Sequence, residues 1–155
     1  MSHSLVKVHV HYIWSTKYGE RLLIGDAREQ VKNHISEYAD QNTLCLEALN
    51  IQPEHVHLLV LLGRNQKIED IAKLVKGESS HWINEHNIIK PKFSWQTGYA
   101  ALSAGYQNVG TVKRYIETQD EHHRRKTFLE EYTEMLKDYG YSESEIQQLF
   151  DYRNR

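Results

Sequence analysis

The chain has 155 residues, a formal net charge of −2 and a pI near 6.5, with 39% hydrophobic and 26% charged residues. That composition excludes the disordered and fibrous classes, and the length predicts one domain, 1–155, burying roughly two-thirds of its unfolded surface. The longest apolar run, Leu58 to Leu62, is far short of the roughly twenty residues of a membrane helix.

A single cysteine, Cys45, and the absence of a signal-peptide pattern predict a soluble, cytoplasmic protein in which Cys45 is a small core residue. The slightly acidic balance gives no prompt toward nucleic acid, so such a partner would have to be met by a local basic face.

In chain order, "LVKVHVHYIWST" (5–16) alternates Val6, Val8, Val10 and Tyr12 against Lys7, His9, His11 and Ile13, the pattern of a half-buried strand with its histidines in the polar phase. From Asp26, a candidate N-cap, Ala27, Val31, Ile35, Tyr38 and Ala39 recur at helical spacing to Gln41. Leu44 to Ile51 and His55 to Leu62 predict neighbouring antiparallel strands joined by Gln52, Pro53 and Glu54. Ile68, Ile71, Ala72, Val75, Trp82 and Ile83 fall on one face of a long helix.

After a polar loop from Asn84 to Gln96, a short strand is predicted near Tyr99 to Ala104. Asn108 can cap a third helix carrying Val112, Tyr115 and Ile116, a fourth runs from about Thr127 to Tyr139, and Ser142 with Glu145 forms a capping box for a last one. The order β-α-β-β-α-β, then helices, predicts an α+β, ferredoxin-like (split β-α-β) fold. Its antiparallel sheet (core about 5–106) would have helices on one face and a C-terminal helical extension (about 108–150).

Two features bear on chemistry. In "PEHVHLLVLLG", His55 and His57 stand two apart at the mouth of an apolar strand and so share a face. Two neutral imidazoles can share an ion if a third group arrives from elsewhere, or they can be hydrogen-bonded core residues. The "HVH" at 9–11 repeats the spacing in a half-exposed context, which makes 55 and 57 the better pair.

In "VKRYIETQDEHHRRKTF", Tyr115 and Gln119 are four apart, one helical turn on a single face. A nucleophile and a neutral oxygen ligand would then travel as one rigid unit, although a packing tyrosine and a surface amide fit the same spacing. His122 and His123, beside Arg124, Arg125 and Lys126, read as a solvated face or as a phosphate-contacting edge.

Together, "PEHVHLLV" and "VKRYIETQDEHHRRKTFLEEY" resemble the single-tyrosine HUH transposases of small bacterial insertion sequences and their REP-associated relatives. "HYIWSTKYGERLL", "KLVKGESSHWIN" and "WQTGYAALSA" extend the likeness over about residues 5–140. The resemblance implies a ferredoxin-like sheet, His55 and His57 as metal-binding histidines, Tyr115 as nucleophile and Gln119 as third ligand. It further implies cleavage and rejoining of single-stranded DNA with hairpin-containing ends through a 5′-phosphotyrosine, and a homodimer whose sites are completed in trans.

Two imidazoles and an amide predict Mg²⁺ or Mn²⁺ in a partly open site. Candidate DNA contacts are Lys73, Lys76, Lys113, Arg114, Arg124, Arg125 and Lys126, with Trp95 or Tyr99 stacking on an unpaired base. The rival readings are a domesticated nuclease acting on host repeats, a noncatalytic nucleic-acid-binding module on the same fold, and a water-using phosphoesterase that would not need Tyr115.

Overall fold

The computed structural model describes residues 3–153. Four strands, β1 (Val8–Ser15), β2 (Cys45–Ile51), β3 (His55–Leu62) and β4 (Ala100–Ala104), form one sheet in the order β2-β3-β1-β4, every neighbouring pair antiparallel. Helices α1 (Gly25–Gln41) and α2 (Ile68–Glu85) are the two crossovers, and α3 (Val109–Glu117), α4 (Gln119–His122), α5 (Phe128–Asp138) and α6 (Glu143–Arg153) follow β4. Element order and strand order are consistent with the predicted split β-α-β arrangement.

Strand periodicity divides the two central strands between two faces. Val10, Tyr12 and Trp14 of β1 and Val56, Leu58 and Val60 of β3 turn to one side, where they form the main core with Val31, Ile35 and Ala39 of α1 and Ile71, Val75 and Ile83 of α2. Each fully buried side chain of this kind contributes about 1.5–3 kcal/mol. The opposite phase holds His9, His11 and Ile13 of β1 and His55, His57 and Leu59 of β3, and the C-terminal helices cover it. Ile116 of α3 packs with Ala48, Leu59 and Ala104, while Phe128, Tyr132 and Leu136 of α5 pack with Ile13, Ala100 and Leu102. The extension therefore lies over the second face of the sheet.

Several local expectations are corrected. Asp26 does not cap α1: Ile24 is the N-cap with no side-chain bond, and Gly25 turns the chain into the helix at φ +56°, a conformation that favours glycine. Asp26 sits instead in the first turn, where its charge complements the helix dipole. Asn108 likewise makes no side-chain cap.

Thr127 caps α5 by accepting from the Glu130 N–H, and Ser142 and Glu145 form the expected reciprocal box, at 3.0 and 3.2 Å. Cys45 is exposed at the start of an edge strand rather than buried. Among the described residues, no helix is long and apolar enough to cross a membrane.

Candidate metal and tyrosine site

The register sets the histidines. His55 stands opposite Ser15 and His57 opposite Ile13, while His11 faces Leu59, which makes it the diagonal same-face neighbour of His57. His11 Nε2 and His57 Nδ1 lie 2.8 Å apart. His55 Nδ1 meets Glu54 Oε1 at 2.7 Å, and the other Glu54 oxygen pairs with Arg21. Phe128 stacks on the His55 ring, 3.8 Å between centroids, and seals it with an apolar face.

With both Nδ1 atoms held, the Nε2 atoms are left for the site. His55 Nε2 lies 3.3 Å from His123 Nε2, and His57 Nε2 is buried with no hydrogen-bond partner. The expectation that His9 and His11 belong to a half-exposed polar phase is therefore overturned. Both are buried; His11 supports His57, and His9 Nε2 approaches Glu47 at 3.2 Å.

Burial lowers all three site imidazoles. His11 falls to about 4, His55 falls although its bond to Glu54 opposes the shift, and His57 falls well below the usual histidine range, with the charges of His55 and His11 adding to the effect. Neutral imidazoles with free lone pairs are the ligand form. Burial works against the Glu54 anion, but the hydrogen bond from His55 and the charge of the Arg21 guanidinium hold it below the usual carboxylate range.

Tyr115 sits on α3 with its ring 5.8 Å from that of His57 and 4.9 Å from that of His122. Its hydroxyl donates to the Glu131 carboxylate of α5. Burial, reinforced by that carboxylate, raises the phenol far above the ordinary tyrosine value, so it is protonated at neutral pH. Gln119 is fully buried; its amide nitrogen donates to the Tyr115 carbonyl at 3.1 Å and its oxygen lies 3.0 Å from His123 Nε2.

Tyr115 and Gln119 are not on one continuous helix. The backbone leaves helical geometry at Thr118, α3 ends, and Gln119 opens α4. The Gln119-to-Tyr115 bond spans that break and keeps the pair together. Within the single chain, α3 brings Tyr115 beside His57 and His11. The apolar stripe of α5, Phe128, Tyr132 and Leu136, is buried on its own sheet.

The basic residues divide. Arg125 and Lys126 line an open cleft together with Tyr115, His122, Glu131, Glu134 and Asp138. Lys126 pairs with Glu134 at 2.5 Å, and Lys113, Arg114 and Arg124 are exposed nearby in sequence. Lys73 is exposed on α2, across the sheet from this cleft.

Lys76, another candidate phosphate contact, is engaged within the chain. Its ammonium donates to the Thr97 and Gly98 carbonyls at 3.0 and 2.9 Å, and burial lowers it to about 8. Trp95 is corrected as a stacking platform: it is buried edge-on to Trp14 and Phe93 and donates to Ser79 Oγ. Tyr99 packs beside Tyr12 on the α2 side.

A family model described as "Transposase IS200 like" matches residues 4–119, three-quarters of the chain and every predicted site residue up to Gln119. This chain belongs to the IS200-like transposase family. The ISDra2 transposase TnpA of Deinococcus radiodurans is 29% identical over 118 residues, covering 73% of this chain and 84% of its own length. A crystal structure assigned as a transposase, also from Deinococcus radiodurans, superposes with a TM-score of 0.61 at 27% identity, over 77% of this chain and 95% of that one. A REP-associated tyrosine transposase bound to a REP hairpin superposes at 0.58, over 79% and 74%, with 15% identity, a likeness of fold.

As an IS200-like transposase the protein is a DNA-cleaving enzyme, of a family that uses a divalent metal. Glu54, His55 and His123 offer ligand atoms all within 4.8 Å of one another. Of the groups around the predicted site, sequence reasoning missed His11, Glu54, His123 and Glu131. His11 becomes a neighbour of His57 only through the β1–β3 register, and Glu54 is the immediate neighbour of His55. His123 lies one turn beyond Gln119, and Glu131 has no signal short of knowing that α5 folds over the second face.

Proposed function

We propose that the protein cleaves and rejoins single-stranded DNA through a phosphotyrosine on Tyr115, assisted by a divalent ion, Mg²⁺ or Mn²⁺, held by His55, His57 and Gln119. The observation that carries this reading is the buried, unpartnered Nε2 of His57 beside a fully buried amide and the ring of Tyr115. An unpaired polar nitrogen in a buried site is costly unless something binds it, and with the His57 proton on Nδ1, donated to His11, that nitrogen is a lone pair open to a metal. The donor set fits an ion: both imidazoles are kept neutral by burial, and each is fixed through Nδ1 by a second group.

When bound, the ion supplies polarisation of a nonbridging phosphate oxygen and offsets charge developing in the transition state. Tyr115 Oη forms the new bond to phosphorus, the bond to the departing 3′ oxygen breaks, that oxygen takes up a proton from solvent to become a 3′-hydroxyl, and a 5′-phosphotyrosine results. Glu131, which accepts the hydrogen bond of the phenol, is the group at hand to take its proton. Arg125 and Lys126 of the cleft, with Lys113, Arg114, Arg124 and Lys73 as outer contacts, would hold the phosphate backbone. Hairpin-containing ends are the substrate that the resemblance implies.

Contact of Tyr115 with its own His57 supports completion of the site within one chain, against the exchanged homodimer implied by family likeness. The test is incubation with end-labelled single-stranded DNA and Mn²⁺. Wild type should form a covalent adduct, and Tyr115→Phe should form none while still binding DNA. An adduct on the phenylalanine variant would move the nucleophile elsewhere. Mixing Tyr115→Phe with His57→Ala restores the adduct only if sites are shared between subunits.

A further inference from the structure

We infer that His123 is a fourth protein ligand of this ion, joining His55, His57 and Gln119, and that it shifts the site's preference from Mg²⁺ toward Mn²⁺ and Zn²⁺. The inference rests on the metal-assisted reading above and concerns a residue outside the family match, which ends at residue 119.

The spacing is the first argument. His123 Nε2 is 3.3 Å from His55 Nε2 and 3.0 Å from Gln119 Oε1. Ligands about 2.1 Å from one ion, at angles between octahedral and tetrahedral, stand about 3.0–3.4 Å from each other. Both measured separations fall on such an edge.

Lone pairs are in surplus around His123. The Nδ1 of His55 is engaged by Glu54, so its proton belongs there and Nε2 is a bare acceptor. His123 Nε2 can offer at most one proton, yet His55 Nε2, Gln119 Oε1 and, at 3.6 Å, Glu131 Oε2 all approach it with lone pairs. That Glu131 oxygen is buried without a hydrogen-bond partner, as is His57 Nε2. One proton cannot serve these acceptors, whereas one cation can.

His123 follows Gln119 by four residues and its N–H bonds the Gln119 carbonyl at 3.0 Å, so the two side chains are carried by the same turn. The His123 and His55 rings meet edge to face, 4.9 Å between centroids. Three imidazoles and one amide oxygen form a nitrogen-rich set, which suits first-row transition ions better than oxygen-seeking Mg²⁺.

The test is calorimetric titration of the full chain with MnCl₂, ZnCl₂ and MgCl₂, together with pulsed electron-spin measurement of imidazole nitrogens coupled to bound Mn²⁺. Wild type should bind Zn²⁺ and Mn²⁺ more tightly than Mg²⁺ and show three coupled imidazoles. His123→Ala should show two, and should lose Mn²⁺ affinity by more than the roughly 10–100-fold expected of an orienting neighbour. His57→Ala should abolish binding.

Wild-type Mn²⁺ affinity in His123→Ala, with binding lost in His57→Ala, would overturn the role of His123 and leave the metal-assisted reading standing. Undiminished binding in His57→Ala would overturn that reading itself. The spin measurement on wild type keeps the inference falsifiable if His123→Ala does not fold, since a count of two imidazoles overturns it.

Discussion

The two faces of the sheet are built from the same two strands and put to opposite uses. Toward α1 and α2, β1 and β3 present Val10, Tyr12, Trp14, Val56, Leu58 and Val60, a dry apolar layer. One residue along, the same strands present His11, His55 and His57, equally buried but polar and joined to Glu54, Gln119 and His123. The first face can be filled by many side chains of suitable volume. The second tolerates no such exchange, because each imidazole needs a particular partner on a particular nitrogen. Chemistry is confined to one side, set among apolar contacts of its own from Ile13, Leu59 and the C-terminal helices, which strand alternation allows at no cost in chain length.

The sharpest way to break this division is to substitute adjacent residues of β3. His57→Ala should reduce covalent adduct formation by about 10³-fold or more, equivalent to about 4 kcal/mol of barrier, while lowering the denaturant midpoint less than loss of a core leucine does. Leu58→Ala should do the reverse. A fully buried leucine lost from the core costs about 2–5 kcal/mol, read as a lowered denaturant midpoint, with metal affinity unchanged in the folded protein. A comparable loss of stability in both variants would mean that the faces are not specialised.

The next effect is on pH. His11 titrates at about 4 in the folded protein, below its unfolded value near 6.5, so the unfolded chain binds more protons between these limits. Its contribution is fully present above about pH 6.5 and is lost as pH falls toward 4, to a total on the order of 3 kcal/mol. His55 and His57, also lowered, act in the same direction. Denaturation of the metal-free protein across that range should show a steep loss of stability, and His11→Gln should make it shallower; a flat profile in wild type would contradict the assigned burial.

The smallest effect sharpens the comparison from within the polar face. Glu54→Gln leaves packing in place but weakens the hold on His55, and Mn²⁺ affinity measured by titration should drop roughly 10–100-fold. The melting temperature should stay close to wild type, because Glu54 sits at the rim of the sheet.

Much of this was legible in the sequence where one principle acts alone. The bounds of β3, the span of α5 and the Ser142–Glu145 box follow from alternation, helical spacing and capping, and each is found in place. The role of His11 was hidden because alternation assigns its phase to solvent unless the C-terminal helices are known to fold back over it. The break at Thr118 was invisible because Tyr115 and Gln119 satisfy the i, i+4 rule whether or not the helix is continuous. Lys76 read as a free cation, yet it is drawn inward by two loop carbonyls that only the tertiary fold supplies.

The three imidazoles donated by strands all belong to the inner pair, β1 and β3, each flanked by a hydrogen-bonded neighbour, whereas Tyr115 and Gln119 ride on helices laid over the outside. Amide hydrogens of the inner pair should therefore exchange only on global opening, and those around the tyrosine turn should exchange through cheaper, local excursions. One half of the reactive centre is thus as permanent as the fold, and the other half keeps a faster clock.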